Sequence, residues 1–358
     1  PDRVLYMGAL QGMLRSLPER YNAYIPPRAA RVLDRHMNGE PQGGIGVQVR
    51  PSEQGGLDVC VVLSDLPADR AGVQKGDRIV AVDGVDITHM DMRDSIELLV
   101  GAVGTQVEMT LARDDSRRVV AVERAPLPRL PPCRFLPGHA GLGYACVPLF
   151  AYGVDAHLAD GVRRLQAHGL RGLLIDLRWN PGGALETGMA ASDLFLRRGT
   201  IAIVEERDPY GPPNAVARRV RQARADWLGG FPVVILVNEE TASAAELFAA
   251  ALRDNDRAVL VGGQTHGKAR IQLFLALGEE AGAVNLTTGR YLTPKGADIE
   301  GRGLAPDVAV RLEDEAAQRI RQLWAEVHYG SRSFDELLNR DAQLERAVTA
   351  LGEALDNE

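Results

Sequence analysis

Residues 237–272 read V-N-E-E-T-A-S-A-A-E-L-F-A-A-A-L-R-D-N-D-R-A-V-L-V-G-G-Q-T-H-G-K-A-R-I-Q. An apolar run over 231–237 leads into this stretch and is long enough for a buried strand. A small-residue turn follows, then a helical stretch over 244–253. A second apolar run, 258–261, reaches a Gly-rich turn, and 268–277 reads as a strand again. Ser243 stands where the first strand hands over to the helix. Backbone N–H groups at a helix start are unpaired and point outward. A hydroxyl there can attack a carbonyl whose growing negative charge those N–H groups stabilise. Lys268 and Gln272 are four residues apart, and positions i and i+4 of a strand share a face. One strand is therefore expected to present an amine and an amide together to the serine.

Each residue also has a plainer reading. Ser243-x-x-Glu246 is a capping-box pattern, so Ser243 could serve only as a helix cap. Lys268 could be a solvated turn lysine and Gln272 an ordinary strand residue. Gly262-x-x-x-x-Gly267-Lys268 starts like a phosphate loop, but Ala269 stands where Ser or Thr must hold magnesium, and a strand rather than a helix follows.

The joint pattern is more specific than its parts. It resembles the carboxy-terminal processing, or tail-specific, proteases, with a V-N-x-x-[ST]-A-S-A-x-E segment followed by T-x-G-K-x-x-x-Q. Val237, Asn238, Thr241, Ala242, Ser243, Ala244, Glu246, Thr265, Gly267, Lys268 and Gln272 carry the match. The resemblance implies Ser243 as nucleophile, Lys268 as general base and Gln272 as the group orienting the lysine. His266 replaces the family's usual aromatic, and Ala269 a usual glycine. His266 is read as packing or rim, with a competing role as a base left open. A free lysine amine, pKa about 10.4, is almost all protonated at neutral pH. Burial against apolar walls lowers that value and frees the amine to take a proton from serine. No G-x-S-x-G elbow is present, which disfavours the hydrolase fold built on it.

A second segment, Asp176-Leu177-Arg178-Trp179-Asn180-Pro181-Gly182-Gly183, matches the family's D-L-R-x-N-P-G-G. Tandem glycines allow the backbone to approach a substrate closely. An oxyanion hole is inferred from the N–H of Ala244 and one from Gly182 or Gly183. Asp176 and Arg178 are read as a structural ion pair. Tyr291-Leu292-Thr293-Pro294 and Gly301-x-Gly303-x-x-Pro306-Asp307-Val308 match further family segments, and Gly12-Met13-Leu14-x-x-Leu17 an N-terminal helix.

The 358 residues are 45% apolar and 25% charged, as in a folded globular protein. A net charge of −7 with no basic run argues against nucleic acid. Cys60, Cys133 and Cys146 are scattered and fit neither a disulfide framework nor a zinc site. No apolar run approaches the ~20 residues of a membrane helix. The chain begins at Pro1, so membrane association is expected only through a segment outside this sequence.

Five regions are expected: an N-terminal helical segment (1–42), a β-rich module (43–113), a proline-rich connector (114–140), an α/β peptidase core (141–311) and C-terminal helices (312–358). In the module, strand and turn signals at Gly44-Ile45-Gly46-Val47, 59–63 and 76–84 precede a helix over 91–100 and a strand through Val107, Met109 and Leu111. This order resembles a PDZ domain, with Gly44, Ile45, Gly46 and Val47 as its carboxylate-binding loop. Exposed loop N–H groups make a nest for a terminal carboxylate, and the adjacent strand edge pairs with an extended peptide. The plainer reading is that the glycines only permit a turn. Residues 208–227, polar and Arg-rich, are expected as a loop or helix. Leu344, Val348, Leu351 and Leu355 form a helical stripe suited to packing or self-association.

The resemblance implies an α/β fold, a Clp-protease and crotonase type core with an inserted PDZ-like module. It implies a serine endopeptidase that recognises protein C-termini, acts on protein or peptide substrates with a free C-terminus, needs no cofactor or metal, and works in a bacterial periplasm or cell envelope. A homo-oligomer is compatible with it. The competing expectation is a non-catalytic peptide-binding protein of the same fold.

Overall fold

The computed structural model describes residues 2–27, 30, 42–63, 66–90, 92–113, 116–126, 131–208, 210–212, 215–224, 227–278, 281–329 and 332–356. The expectation of helix over 31–40 lies outside them. The chain forms two compact units, one drawn from 1–39, 132–312 and 342–358, the other from 40–131 and 313–341.

The first unit is built on a six-stranded sheet in the order Arg134–Phe135, Leu142–Cys146, Gly172–Asp176, Val233–Val237, Ala258–Gly262, Val308–Ala309. Every pairing after the first is parallel. Val233–Val237 is V-V-I-L-V and buried throughout, as a strand covered on both faces requires. Helices Val154–Ala167, Leu185–Phe195 and Ala244–Asp254 pack in series, and Ala342–Asp356 lies on the central strands. In that last helix Leu344, Ala347 and Leu351 are buried, so the apolar stripe packs inward. Residues 244–252 of the helix Ala244–Asp254 are all buried. Small residues make this possible: a Cβ placed on Gly188 would come 3.0 Å from the Ala244 carbonyl oxygen. Phe248 stacks edge-on against Phe195 at 6.0 Å and tilted against Phe150 at 5.5 Å. The helix that starts at the serine is thus a rigid core element.

A second sheet runs Ala23–Ile25, Gly282–Leu292, Thr200–Arg207, Val216–Gln222, with Arg270–Gly278 on the other side of Gly282–Leu292. The Arg-rich stretch expected as a loop or helix forms a strand, Val216–Gln222, antiparallel to Thr200–Arg207. Its exposed arginines meet carboxylates: Arg218 pairs with Glu205, Arg219 with Glu206 and Arg221 with Glu186. The two cross-strand pairs, with Glu205 and Glu206, support a strand that composition alone would leave as coil.

The second unit holds the sheet Val47–Pro51, Leu57–Val62, Arg78–Val82, Gln106–Arg113, Ser116–Glu123 and a small sheet of Ala125–Pro126, Gln42–Gly44 and Gly101–Ala102. Leu57, Val59, Ile79, Val82, Met109 and Leu111 centre its core. Segment 114–140 is more ordered than a connector: Ser116–Glu123 pairs along its whole length with Gln106–Arg113. Arg124, only 8% exposed, donates to the Leu98 and Leu99 carbonyls that end helix Met92–Leu99, and to Gln106 and Thr105. A cation over the last carbonyls of a helix satisfies acceptors the helix cannot. Helices Asp314–Tyr329 and Phe334–Leu338 complete this unit, where Glu326 pairs with Lys75 and Arg332.

Candidate active site

Ser243 has φ +56° and ψ −120°, a left-handed backbone that a non-glycine residue adopts only under constraint. The constraint comes from the loop 176–183. Asn180 accepts the Ala242 N–H at its carbonyl (2.9 Å) and donates its side-chain amide to Val147 (2.7 Å). Asn238 Oδ1 accepts the Trp179 N–H (2.9 Å), and the Thr241 hydroxyl reaches the Leu177 carbonyl (2.9 Å). The two sequence motifs are therefore stitched together by the Asn and Thr residues that define them.

Gly182 and Gly183 have φ of +109° and +129°. A Cβ on Gly182 would stand 2.7 Å from Ser243 Cβ, and one on Gly183 would collide with the Phe150 backbone. Glycine is required at both for conformation and for space. The Gly182 N–H is spent on Asn180 Oδ1 at 2.8 Å. Among the described residues the N–H groups of Gly183 and Ala244 have no acceptor.

Lys268 does not lie in a strand. Gly267, at φ +84°, turns the chain, and the strand begins at Arg270. Its neighbouring N–H groups go to carboxylates instead of a ladder. Glu246, fully buried, accepts from Ser243 N (2.9 Å) and Lys268 N (2.8 Å) at one oxygen, and from Gly267 N (2.7 Å) and Thr265 Oγ (2.5 Å) at the other. Ala269 N donates to Glu300 at 2.8 Å. On the opposite side the Tyr291 hydroxyl lies 2.9 Å from the Ser243 carbonyl and 3.1 Å from that of Lys268. Serine and lysine backbones are thus bracketed by one carboxylate and one phenol. The capping-box pattern is real, yet its glutamate holds the lysine loop as well as the helix start.

The half-buried Lys268 amine sits 5.1 Å from the centre of the Tyr21 ring, and among the described residues no hydrogen bond joins it to the Ser243 hydroxyl. Burial holds the amine below its ordinary pKa; the Glu300 carboxylate opposes this and Arg20 adds to it. Gln272 donates to the Arg270 carbonyl at 2.9 Å and makes no hydrogen bond to Lys268 among the described residues. The i, i+4 argument does not apply, because Lys268 precedes the strand and a register shift falls between Ile271 and Gln272. His266 is exposed, while Ala269 is fully buried. Sequence reasoning did not single out Tyr21 or Glu300, and it noted Tyr291 only within a family segment, with no role. Their approach depends on contacts between segments remote in the chain, for which periodicity carries no signal.

Asp176 and Arg178 are both wholly buried and paired at 2.8 Å; Tyr144 donates to Asp176 (2.8 Å), and Arg178 donates to Gln343 of the C-terminal helix (3.3 Å). Burial opposes ionisation of the Asp176 carboxyl, but Arg178 and Tyr144 outweigh it and lower its pKa. Among the described residues, no cluster of His, Cys, Asp and Glu is suited to a metal, and no helix is long and apolar enough to cross a membrane.

In the second unit Gly46 has φ +82°, and a Cβ there would strike Leu66 at 2.5 Å. The carbonyls of Ile45 and Gly46 accept from Ala68 and Leu63. Among the described residues the Ile45 and Gly46 N–H groups have no acceptor. Gly44 pairs with Ala125, and Val47 starts a strand paired with Leu57–Val62.

Residues 141–310 match peptidase family S41, and residues 59–113 match the PDZ domain. A carboxy-terminal-processing protease of Bartonella bacilliformis is 31% identical over 86% of this chain and 70% of its own length. A carboxyl-terminal-processing protease of Picosynechococcus sp. is 33% identical over 85% of this chain and 73% of its own. The solved photosystem II D1 C-terminal processing protease aligns with a TM-score of 0.52 at 28% identity, over 86% of this chain and 82% of that one. With the α/β core, the PDZ domain and both motif segments accounted for, the chain belongs to the carboxy-terminal-processing serine peptidases of family S41.

Proposed function

We propose that Ser243 is the nucleophile and Lys268 the general base of this peptidase, and that the PDZ domain holds the substrate's C-terminal carboxylate. The observation that carries the reading is the bracket: Glu246 and Tyr291 each bind the backbones of both Ser243 and Lys268. The two main-chain nitrogens share a single carboxylate oxygen, and the lysine amine hangs on a four-carbon stem with free rotation. In the reaction that amine leaves the Tyr21 ring and accepts the Ser243 hydroxyl proton as Oγ bonds to the scissile carbonyl carbon. The oxyanion is stabilised by the Ala244 and Gly183 N–H groups, which have no acceptor among the described residues. Gly182 supplies close approach rather than a donor, because its N–H is already committed. Lys268 then delivers its proton to the leaving amine, and water releases the acyl group by the same steps in reverse. Gln272, with its amide N–H on the Arg270 carbonyl, keeps its oxygen to accept from the lysine amine and orient it.

In the PDZ domain, the Ile45 and Gly46 N–H groups form the nest for a terminal carboxylate, with Gly44 and Val47 fixing its flanks. Substrates are proteins or peptides with a free C-terminus, and the working place is the cell envelope.

Hydrolysis of an unstructured protein by wild type, Ser243→Ala and Lys268→Ala tests the dyad. Both variants should lose cleavage; activity surviving in Lys268→Ala removes the lysine from the chemistry. Amidating the substrate's C-terminus should weaken binding, and an unchanged affinity would refute carboxylate capture.

A further inference from the structure

The strand Arg270–Gly278 has one strand neighbour, Gly282–Leu292, so among the described residues its outer edge is unpaired. Its sequence is R-I-Q-L-F-L-A-L-G, and Leu273, Leu275 and Leu277 are 47%, 39% and 46% exposed. Exposed, apolar edges pair readily with another chain, and proteins normally blunt them with charge. The same sheet does so at its far edge, where Val216–Gln222 carries Arg218, Arg219 and Arg221 paired with glutamates. Among the described residues its stretch 273–277 carries no charge, and the strand begins two residues after Lys268.

We propose that this edge docks the substrate as an added β-strand leading away from the Ser243–Lys268 site, which extends the function proposed above. Nine residues of strand span about 30 Å. At its far end Leu277 lines a groove of about 710 Å³ with Tyr6, Leu10 and Met13. The occupant is an extended polypeptide with apolar side chains at alternate positions: main-chain groups of the edge supply the hydrogen bonds, and Leu273 and Leu275, on one face, meet those side chains. Recognition of this kind reads backbone shape and apolar alternation and is tolerant of sequence.

The test is binding to the full-length Ser243→Ala protein, which needs no turnover. The probe is a labelled peptide of about twelve residues alternating Val and Ser, a length matched to the strand, with an amidated C-terminus so that carboxylate capture is not engaged. N-methylation of single peptide amides in turn should weaken binding with a period of two, by about tenfold where a strand hydrogen bond is lost. Leu275→Arg should weaken binding similarly without lowering thermal stability. No binding, a penalty without that period, or indifference to Leu275→Arg overturns the proposal. So does a change from dimer to monomer in Leu275→Arg with peptide affinity intact, which would assign the edge to self-association. Failure of the Ser–Lys reading shows separately, as turnover by Lys268→Ala.

Discussion

Replacing Glu246 by Gln is the sharpest probe of the bracket. All four partners of its side chain are donors: the N–H groups of Ser243, Gly267 and Lys268, and the Thr265 hydroxyl. A carboxylate offers lone pairs to all of them, whereas an amide keeps one oxygen and turns an NH2 toward the other two donors. Two buried donors then lose their acceptor, at about 1–3 kcal/mol each. A total of about 3 kcal/mol, two donors toward the lower end of that range, lowers the melting temperature by roughly 6–12 °C for a domain of this size. Calorimetry and urea unfolding read the loss. Well below both melting temperatures, kcat on an unstructured protein should fall by about 10²-fold, because losing two of the four bonds loosens the carboxylate side of the bracket and leaves the Tyr291 hydroxyl as its intact side. Binding of a peptide to the PDZ domain should be unchanged. A variant that melts within about 2 °C of wild type, under a kcal/mol by the same scaling, and keeps its kcat would refute the idea that one carboxylate positions both residues.

The remaining tests address the lysine, the glycine loop and the buried pair. Activity should rise with pH as Lys268 loses its proton, with a midpoint below that of an ordinary amine. Glu300 favours the ammonium, so Glu300→Gln should shift this limb to lower pH; a shift upward refutes the assignment. Gly182→Ala should fold but lose turnover by about 10²-fold, because its Cβ meets Ser243 Cβ and displaces the nucleophile; wild-type kcat in that variant would show the close approach to be irrelevant. Arg178→Met should cost about 3–5 kcal/mol in urea unfolding by stranding Asp176, and Asp176→Leu in the same chain should recover much of it. Lack of recovery would mean that the pair does more than neutralise itself.

The sequence was most informative where function imposes a local rule. Gly182 and Gly183 were legible because no other residue fits their φ and surroundings. The helix start at Ala244 and the parallel strand Val233–Val237 followed from apolar runs and small residues. The strand Val216–Gln222 was missed because arginine has no strand signature of its own; only the facing glutamates make it one. Ser116–Glu123 was obscured by the prolines that follow it.

The chain's own chemistry therefore picked out the candidate site residues: a serine at a helix mouth, a lysine after a glycine turn and a pair of glycines each carry their constraint within a few positions. Tertiary structure alone decided how they are arranged. It gave Glu246 both loops to hold, rested the Lys268 amine on Tyr21, turned Gln272 toward Arg270 and, among the described residues, left the Gly183 N–H without an acceptor. Those outcomes depend on which distant segments meet and which hydrogen bonds are already taken, and neither quantity is encoded in local spacing.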